Sequence, residues 1–177
     1  MDERGVLYVI ACAAPAAADL ARLVVLAQQD GWQVHVVTTP MGARFVATEE
    51  IERLTGDRVR SVYRMPGEPK GLPLADAVVV APATFNTINK WAAGMADTFA
   101  VGLLCEVVGF GVPTLAVPLL KDALARHPAF GRSLRTLREM GVRVLFDSDA
   151  PPHARMPSWE SVMQELRTVI GDRRPQR

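Results

Sequence analysis

The chain has 177 residues, 49% of them apolar and 22% charged, with a formal net charge of +1. That length suits a single domain over residues 1–177 with a real buried core, and the composition excludes disorder. The near-neutral charge gives no electrostatic basis for binding nucleic acid or an acidic membrane surface, and no uncharged apolar run approaches the ~20 residues that span a bilayer.

The opening segment MDERGVLYVIACAAPAAADL is acidic before its apolar part, which argues against a signal peptide and for a cytoplasmic protein. Within it, VLYVIA (Val6–Ala11) reads as a strand buried on both faces. AAADLARLVVLAQQDG follows with Leu20, Leu23, Val24 and Ala27 at helical spacing and a stop at Gly31. QVHVVT (Gln33–Thr38) predicts the second strand, and GARFVATEEIERLTG a helix with Phe45, Ile51 and Leu54 on one side. The proline- and glycine-rich RMPGEPKGLPL (Arg64–Leu74) is a long loop before the third strand, AVVVA (Ala77–Ala81). NTINKWAAGMADTFAVGLLCE reads as one helix with Trp91, Met95, Phe99 and Leu103 at i, i+4 steps beside small residues, a pattern that predicts a subunit contact as well as a core face. TLAVP (Thr114–Pro118) is the fourth strand, and FGRSLRTLREMG a helix with Leu134, Leu137 and Met140 inward. VRVLF (Val142–Phe146) is the fifth strand, DSDAPPHARMP (Asp147–Pro157) a second long loop, and SWESVMQELRTVIG a closing helix with Ser158 as N-cap. The basic tail GDRRPQR reads as a solvated end. Strand alternating with helix predicts an α/β fold of three layers, with a central parallel sheet and right-handed crossovers.

Ligands of such sheets bind beyond the carboxyl ends of the strands. After the first strand, CAAPAAAD lacks a GxGxxG fingerprint, but Ala13 and Ala14 are small enough to let a phosphate approach backbone amides; taken by itself the loop is more simply read as packing. After the second, TTPMGAR offers the hydroxyls of Thr38 and Thr39 and the charge of Arg44. After the third, PATFNTIN places Thr84, Asn86 and Thr87 where a helix starts, more polar groups than capping needs. Lys121 follows the fourth strand. His35 lies inside a strand pattern and reads as structural, whereas His127 and His153 lie in loops and read as solvated. Cys12 and Cys105 belong to no CxxC or Cys/His cluster, so neither a metal site nor a disulfide framework is expected. No nucleophile–base pair is visible, and the catalytic residues stay unassigned. The strand ends describe a polar-rimmed cleft for a phosphorylated, mostly planar ligand.

APATFNTINKWAAGMAD resembles the P-A-S/T-A-N-T motif and following helix of the homo-oligomeric flavin-containing cysteine decarboxylases, a family that includes phosphopantothenoylcysteine decarboxylase and enzymes that oxidatively decarboxylate a C-terminal peptide cysteine. DGWQVHVVTTPMGARFV is similar to the family's second strand and threonine loop, GVPTLAVPLLKDALARHPAFGRSLRTLREMGVRVL follows its order of strand, Pro-x-Met-Asn loop and helix, and ARMP echoes its Gly-Arg-Met near a substrate flap. The resemblance implies FMN held without covalent attachment in a Rossmann-like, flavodoxin-like fold, at the contact between subunits of a homotrimer or a multiple of three. It implies that Ala13 and Ala14 form the phosphate loop, that Thr39 supplies the second-strand hydroxyl, that Thr84, Phe85, Asn86 and Thr87 hold the flavin and ribityl phosphate, and that Leu120 takes the Met position of Pro-x-Met-Asn. Lys121 stands where the family grips the substrate carboxylate with asparagine, Glu68 where it carries its catalytic histidine, and the flap cysteine has no counterpart. The expected function is that of an FMN flavoprotein acting as a divergent carboxy-lyase on a cysteine-like small molecule or C-terminal peptide carboxylate. The alternative is a non-catalytic FMN-binding or regulatory subunit. A flavin prenyltransferase shares the fold, but its Thr-Gly-Ala-Ser-like opening loop is absent from ACAAPAAA.

Overall fold

Val-rich runs need backbone partners on both sides once they are buried, and a parallel sheet provides them. In the computed structural model, which describes residues 4–68, 71–151 and 155–171, these runs form β1 (Gly5–Ala11), β2 (Trp32–Thr38), β3 (Ala77–Ala83), β4 (Thr114–Pro118) and the short β5 (Arg143–Val144). His153 and residues 172–177 of the basic tail lie outside the described residues, as do parts of both long loops. All strands are parallel, in the order β2-β1-β3-β4-β5. Helices α1 (Leu20–Gln29), α2 (Thr48–Thr55) and α7 (Trp159–Gly171) cover one face, where Leu23, Ile51 and Met163 meet Val9, Val36 and Val79. On the other face lie α3 (Phe85–Ala92), α4 (Phe99–Gly109) and α6 (Pro128–Glu139), whose Ile88, Leu104 and Leu134 meet Tyr8, Ile10 and Val80. A one-turn helix, α5 (Asp122–Ala125), precedes α6. This is the flavodoxin-like α/β architecture expected from the alternation of elements. Among the described residues, no helix is long and apolar enough to cross a membrane.

Four expectations need correction. The stretch read as one helix is two. Gly94 adopts φ +67°, and the Met95 amide reaches back to the Lys90 carbonyl at 2.9 Å, a glycine-centred stop that turns the chain out of α3. Trp91 is therefore core, Met95 is 52% exposed, and the i, i+4 stripe does not exist as a helix face. Phe45 precedes α2 and is exposed, because a 3-10 turn at Gly42–Arg44 delays the helix to Thr48. Met140 lies past the end of α6 and is exposed. The fifth strand shrinks to two residues, since Phe146 leaves the sheet to meet Phe130 edge-on at 5.2 Å.

The outer edge of β2 is not bare. The Thr38 amide donates to the Arg60 carbonyl at 2.8 Å and the Arg60 amide to the Val36 carbonyl at 3.1 Å, so an added stretch of chain covers the edge. His35 anchors that stretch from inside: it is buried, and its Nδ1 lies 2.6 Å from Asp57 Oδ2. Burial works against the Asp57 carboxylate, but the Arg58 amide, His35 and Arg60 outweigh it and hold the carboxyl below its ordinary value.

A folded-state value below the unfolded one makes the contribution complete above the unfolded carboxyl range and progressively lost as pH falls through the folded value. Asp57→Asn should accordingly lose less stability than wild type between neutral pH and about pH 3. Urea midpoints followed across that range check this, and parallel curves for the two proteins would refute it.

Candidate functional site

The carboxyl ends of four strands are tied to one another by backbone bonds. The Cys12 amide donates to the Pro82 carbonyl at 3.0 Å, joining the ends of β1 and β3. The Thr39 amide donates to the Ala11 carbonyl at 3.1 Å, joining β2 to β1, and the Leu119 amide to the Ala83 carbonyl at 2.9 Å, joining β4 to β3. Along this rim stand the residues singled out from the sequence: Ala13 and Ala14 after β1, Thr39 after β2, Thr84 to Thr87 after β3, and Leu120 and Lys121 after β4.

The turn after β3 has the densest polar contacts. Thr84 is the N-cap residue of α3, and its hydroxyl bonds not to a helix amide but to Thr87 Oγ1 at 3.2 Å. Thr87 is buried and also accepts from the Cys12 thiol at 3.2 Å. Burial pushes that thiol up against the opposing hydrogen bonds of Thr87 and Thr84, so Cys12 remains protonated and acts as a donor rather than a nucleophile. Asn86 is exposed, with its amide directed to no hydrogen-bond partner among the described residues. Phe85 is half-buried, edge-on to His127 at 5.6 Å and stacked near Phe130 at 6.3 Å.

Ala14 is buried and begins a 3-10 turn at Pro15–Asp19 that leads into α1. Thr39 Oγ1 accepts from the Gly42 amide at 3.0 Å. A Cβ on Gly42 would lie 2.6 Å from the Ala11 carbonyl oxygen and 2.9 Å from Thr39 Oγ1, so only glycine lets this turn approach the end of β1. Next to Thr39, the fully buried Thr38 hydroxyl finds no hydrogen-bond partner among the described residues.

After β4 the site is looser. Leu120 is half-buried against the core face of α3 and α6. Lys121 is exposed, forms no ion pair among the described residues, and contributes only its carbonyl, which accepts the Leu124 and Ala125 amides at 3.0 Å. Its neighbour Asp122 pairs with the buried Arg155. Glu68 does not reach the rim chemistry: it is exposed, and its carboxylate accepts the Met65 amide at 2.8 Å within its own loop.

Sequence reasoning missed several residues that shape this rim. In the sequence Cys12 reads only as lying outside any metal or disulfide pattern, and Gly42 is not singled out. His127 is not merely solvated, for its Nδ1 accepts the Ala129 amide at 3.1 Å and caps α6. Asn89 Nδ2 donates to the Phe85 carbonyl at 2.8 Å and its Oδ1 accepts from Ser133 at 2.7 Å, which holds the first turn of α3 against α6. A polar residue inside an otherwise apolar helix face was the one available signal. A groove of about 460 Å³ lies elsewhere, between α1, α2 and α7, where Arg22 is already paired with Asp19 and Glu160. Among the described residues, no group of three His, Cys, Asp or Glu could hold a metal ion.

A family model described as Flavoprotein matches residues 2–171. The chain is 33% identical over 119 residues to the coenzyme A biosynthesis bifunctional protein CoaBC of Mycolicibacterium smegmatis, a match that covers 65% of this chain and 28% of that protein. It is 35% identical over 98 residues to a cysteine/cysteine sulfinic acid decarboxylase from an unknown prokaryotic organism, covering 52% of this chain and 26% of that protein. The chain thus spans little more than a quarter of the length of these curated relatives. Among solved structures, the FMN-dependent cysteine decarboxylase SpaF superposes with a TM-score of 0.75 at 25% identity, over 94% of this chain and 97% of the other. MrsD from Bacillus sp. HIL-Y85/54728 superposes with a TM-score of 0.77 at 16% identity, over 93% and 95% of the two chains, a likeness of fold alone.

Gly42→Ala tests the closeness of the strand ends directly. The new methyl must displace backbone at β1, and the variant should unfold about 1–3 kcal/mol more easily in urea. Stability equal to wild type would mean that the turn at Gly42 is free to move away from Ala11.

Proposed function

The chain belongs to the flavoprotein family, and from that premise we propose that it binds FMN at the carboxyl rim of its sheet and acts as a divergent FMN-dependent carboxy-lyase on a small cysteine-like or C-terminal peptide carboxylate. The observation that carries the reading is the turn Thr84–Thr87, locked to Cys12 at 3.2 Å where the ends of β1 and β3 part. The residues present fit the cofactor. The first loop is lined with alanines whose small side chains leave a phosphate room to approach, Gly42 keeps the second loop close, and the rim carries hydroxyls, an amide and the Lys121 cation. In this reading Ala13, Ala14 and Thr39 hold the phosphate, while Thr84, Asn86 and Thr87 bind the polar edge of the flavin and its ribityl chain. Phe85 and Leu120 supply apolar contact. Bound FMN supplies a two-electron acceptor for oxidative decarboxylation of a thiol-bearing carboxylate.

Lys121 is proposed to bind the substrate carboxylate, being a cation just past the end of β4 that makes no ion pair among the described residues. An ammonium is a strong point charge where a directional amide would be weaker. It stabilises the carboxylate of the ground state more than a transition state that is losing that charge as carbon dioxide. The exposed position of Glu68, with its carboxylate turned to the Met65 amide of its own loop, favours the second reading, a non-catalytic FMN-binding or regulatory subunit.

The rim is open within one chain. We propose that further copies wall it, in a homotrimer or a multiple of three, and that Asn86, exposed in the single chain, becomes covered there. The chain is proposed to work as one flavoprotein domain in the cytoplasm, a reducing compartment in which Cys12 and Cys105 stay thiols.

Three measurements test these statements. The purified protein should be yellow and release FMN when denatured, and Asn86→Ala should weaken FMN binding by about 1–3 kcal/mol; a colourless protein that takes up no added FMN removes the cofactor reading. Light scattering should report a trimer or a multiple of it, and a monomer at micromolar concentration removes the assembly. Carbon dioxide release should be compared between wild type and Lys121→Asn, with phosphopantothenoylcysteine and with peptides ending in cysteine. Activity lost in the variant supports the carboxy-lyase, activity gained supports the binding subunit, and equal activity removes Lys121 from the carboxylate.

A further inference from the structure

We propose that the Thr38 hydroxyl donates to the phosphate group of the bound flavin nucleotide and sets the preference for FMN over riboflavin. The inference rests on the FMN reading above, and nothing in that reading requires it.

Five buried side-chain polar atoms have no hydrogen-bond partner among the described residues. Two of them, on Asp122 and Arg155, face each other as an ion pair. Trp32 Nε1 lies at the opposite end of β2, and His35 Nε2 in mid-strand. Thr38 Oγ1 alone among the five belongs to the last residue of a strand at the carboxyl rim. Its residue is 0% exposed and its backbone amide is satisfied by the Arg60 carbonyl at 2.8 Å, so the hydroxyl is the unmatched group. A buried hydroxyl without a partner costs free energy that an aliphatic side chain of the same shape would not. Such groups are kept where a partner arrives from outside.

The direction of the side chain indicates which partner. Alternation along β2 puts Thr38 on the same face as Val34 and Val36, the face covered by α1. Its register partner is Ala11, the last residue of β1, from which the chain crosses into the turn Pro15–Asp19 and then α1. The ten-residue α1 turns its amino end, with its partial positive charge, toward this rim. The loop between Ala11 and α1 offers an anion little else. Its residues from Ala13 to Ala18 are alanines and one proline. The Ala14 amide is spent on the Cys12 carbonyl and the Ala17 amide on the Ala14 carbonyl, both at 2.9 Å. Side-chain donors for a phosphate must therefore come from the neighbouring strand end. Thr39 Oγ1 accepts from the Gly42 amide and keeps its own proton, so it is a second donor at this strand end; Thr38 differs in being fully buried with neither proton nor lone pairs matched. In the ligand-free fold the hydroxyl is covered, so the contact forms as the alanine loop adjusts around the phosphate.

The test uses the full chain with Thr38→Val and Thr38→Ser, titrated with FMN and with riboflavin by fluorescence, together with thermal melts without ligand. Thr38→Val should weaken FMN binding about 5–20-fold while leaving riboflavin within about twofold, as expected for one lost hydrogen bond to a charged group. Its ligand-free melting temperature should equal or exceed that of wild type, because an unpartnered polar atom is replaced by a methyl. Thr38→Ser should keep the wild-type ratio of the two affinities. Unchanged FMN affinity in Thr38→Val, an equal loss for both flavins, or a lower ligand-free melting temperature overturns the proposal; the last would show that the hydroxyl is satisfied inside the protein. A wild type that binds neither flavin overturns the FMN reading itself. A wild type that binds FMN beside an unaltered Thr38→Val overturns this inference alone.

Discussion

The hydrogen bond from the Cys12 amide to the Pro82 carbonyl, 3.0 Å long, carries the pairing of β1 and β3 out to the rim of the sheet. Beyond it the two chains part. The chain leaving β1 turns onto the face of α1, α2 and α7, and the chain leaving β3 turns onto the face of α3, α4 and α6. A cleft must open where neighbours in a parallel sheet send their crossovers to opposite faces, and its mouth lies at the carboxyl ends. That bond marks where the mouth begins, and the bonds from Thr39 to Ala11 and from Leu119 to Ala83 bring the outer strands up to the same rim.

What lines the mouth is shaped by burial. Cys12, Thr87 and Thr84 satisfy one another in a short polar chain on the inner side of the turn. The thiol stays protonated because burial dominates its hydrogen bonds, so this chain orients hydroxyls instead of generating a nucleophile. From outside, Asn89 and Ser133 fasten the same turn to α6, and Phe85 stacks near Phe130. The turn is thus held from two directions by contacts that do not involve the exposed Asn86 side chain.

The parts of the fold that local sequence encodes were legible. Short Val-rich runs between turn residues marked four strands within two residues of their observed ends, and glycines closed the helices where the φ values of Gly31, Gly56 and Gly141 place them. The rim was legible too, since strand ends in such a sheet converge whatever their sequence. Contacts across the chain were not. Cys12 and Thr87 are 75 residues apart and Asn89 and Ser133 are 44 apart, and no periodicity links such pairs. The break between α3 and α4 failed for a different reason. Trp91, Met95, Phe99 and Leu103 satisfy a helical repeat by count, and only the left-handed geometry of Gly94 overrides it.

The long connection from α2 to β3 limits which chemistry a single chain can perform. The Tyr63 ring meets Phe99 edge-on at 5.4 Å, and its hydroxyl lies 2.2 Å from where a Cβ on Gly102 would be. Glycine in α4 gives the ring this position, and a larger residue there would push the exposed Tyr63 hydroxyl aside. Farther along, the Tyr8 hydroxyl donates to the Pro73 carbonyl. Between these anchors Glu68 accepts the Met65 amide, and the Glu68 carbonyl accepts from Arg64 at 2.8 Å. A base must have its lone pair free and directed at the reacting proton. The Glu68 carboxylate is instead a structural acceptor within its own loop, on a segment fixed to α4 and β1. Only one of its oxygens is engaged there, so its place in the loop, and not a lack of lone pairs, keeps it from the strand ends. The alanine loop, the threonine turn and Lys121 stand together along the rim, away from that loop's carboxylate.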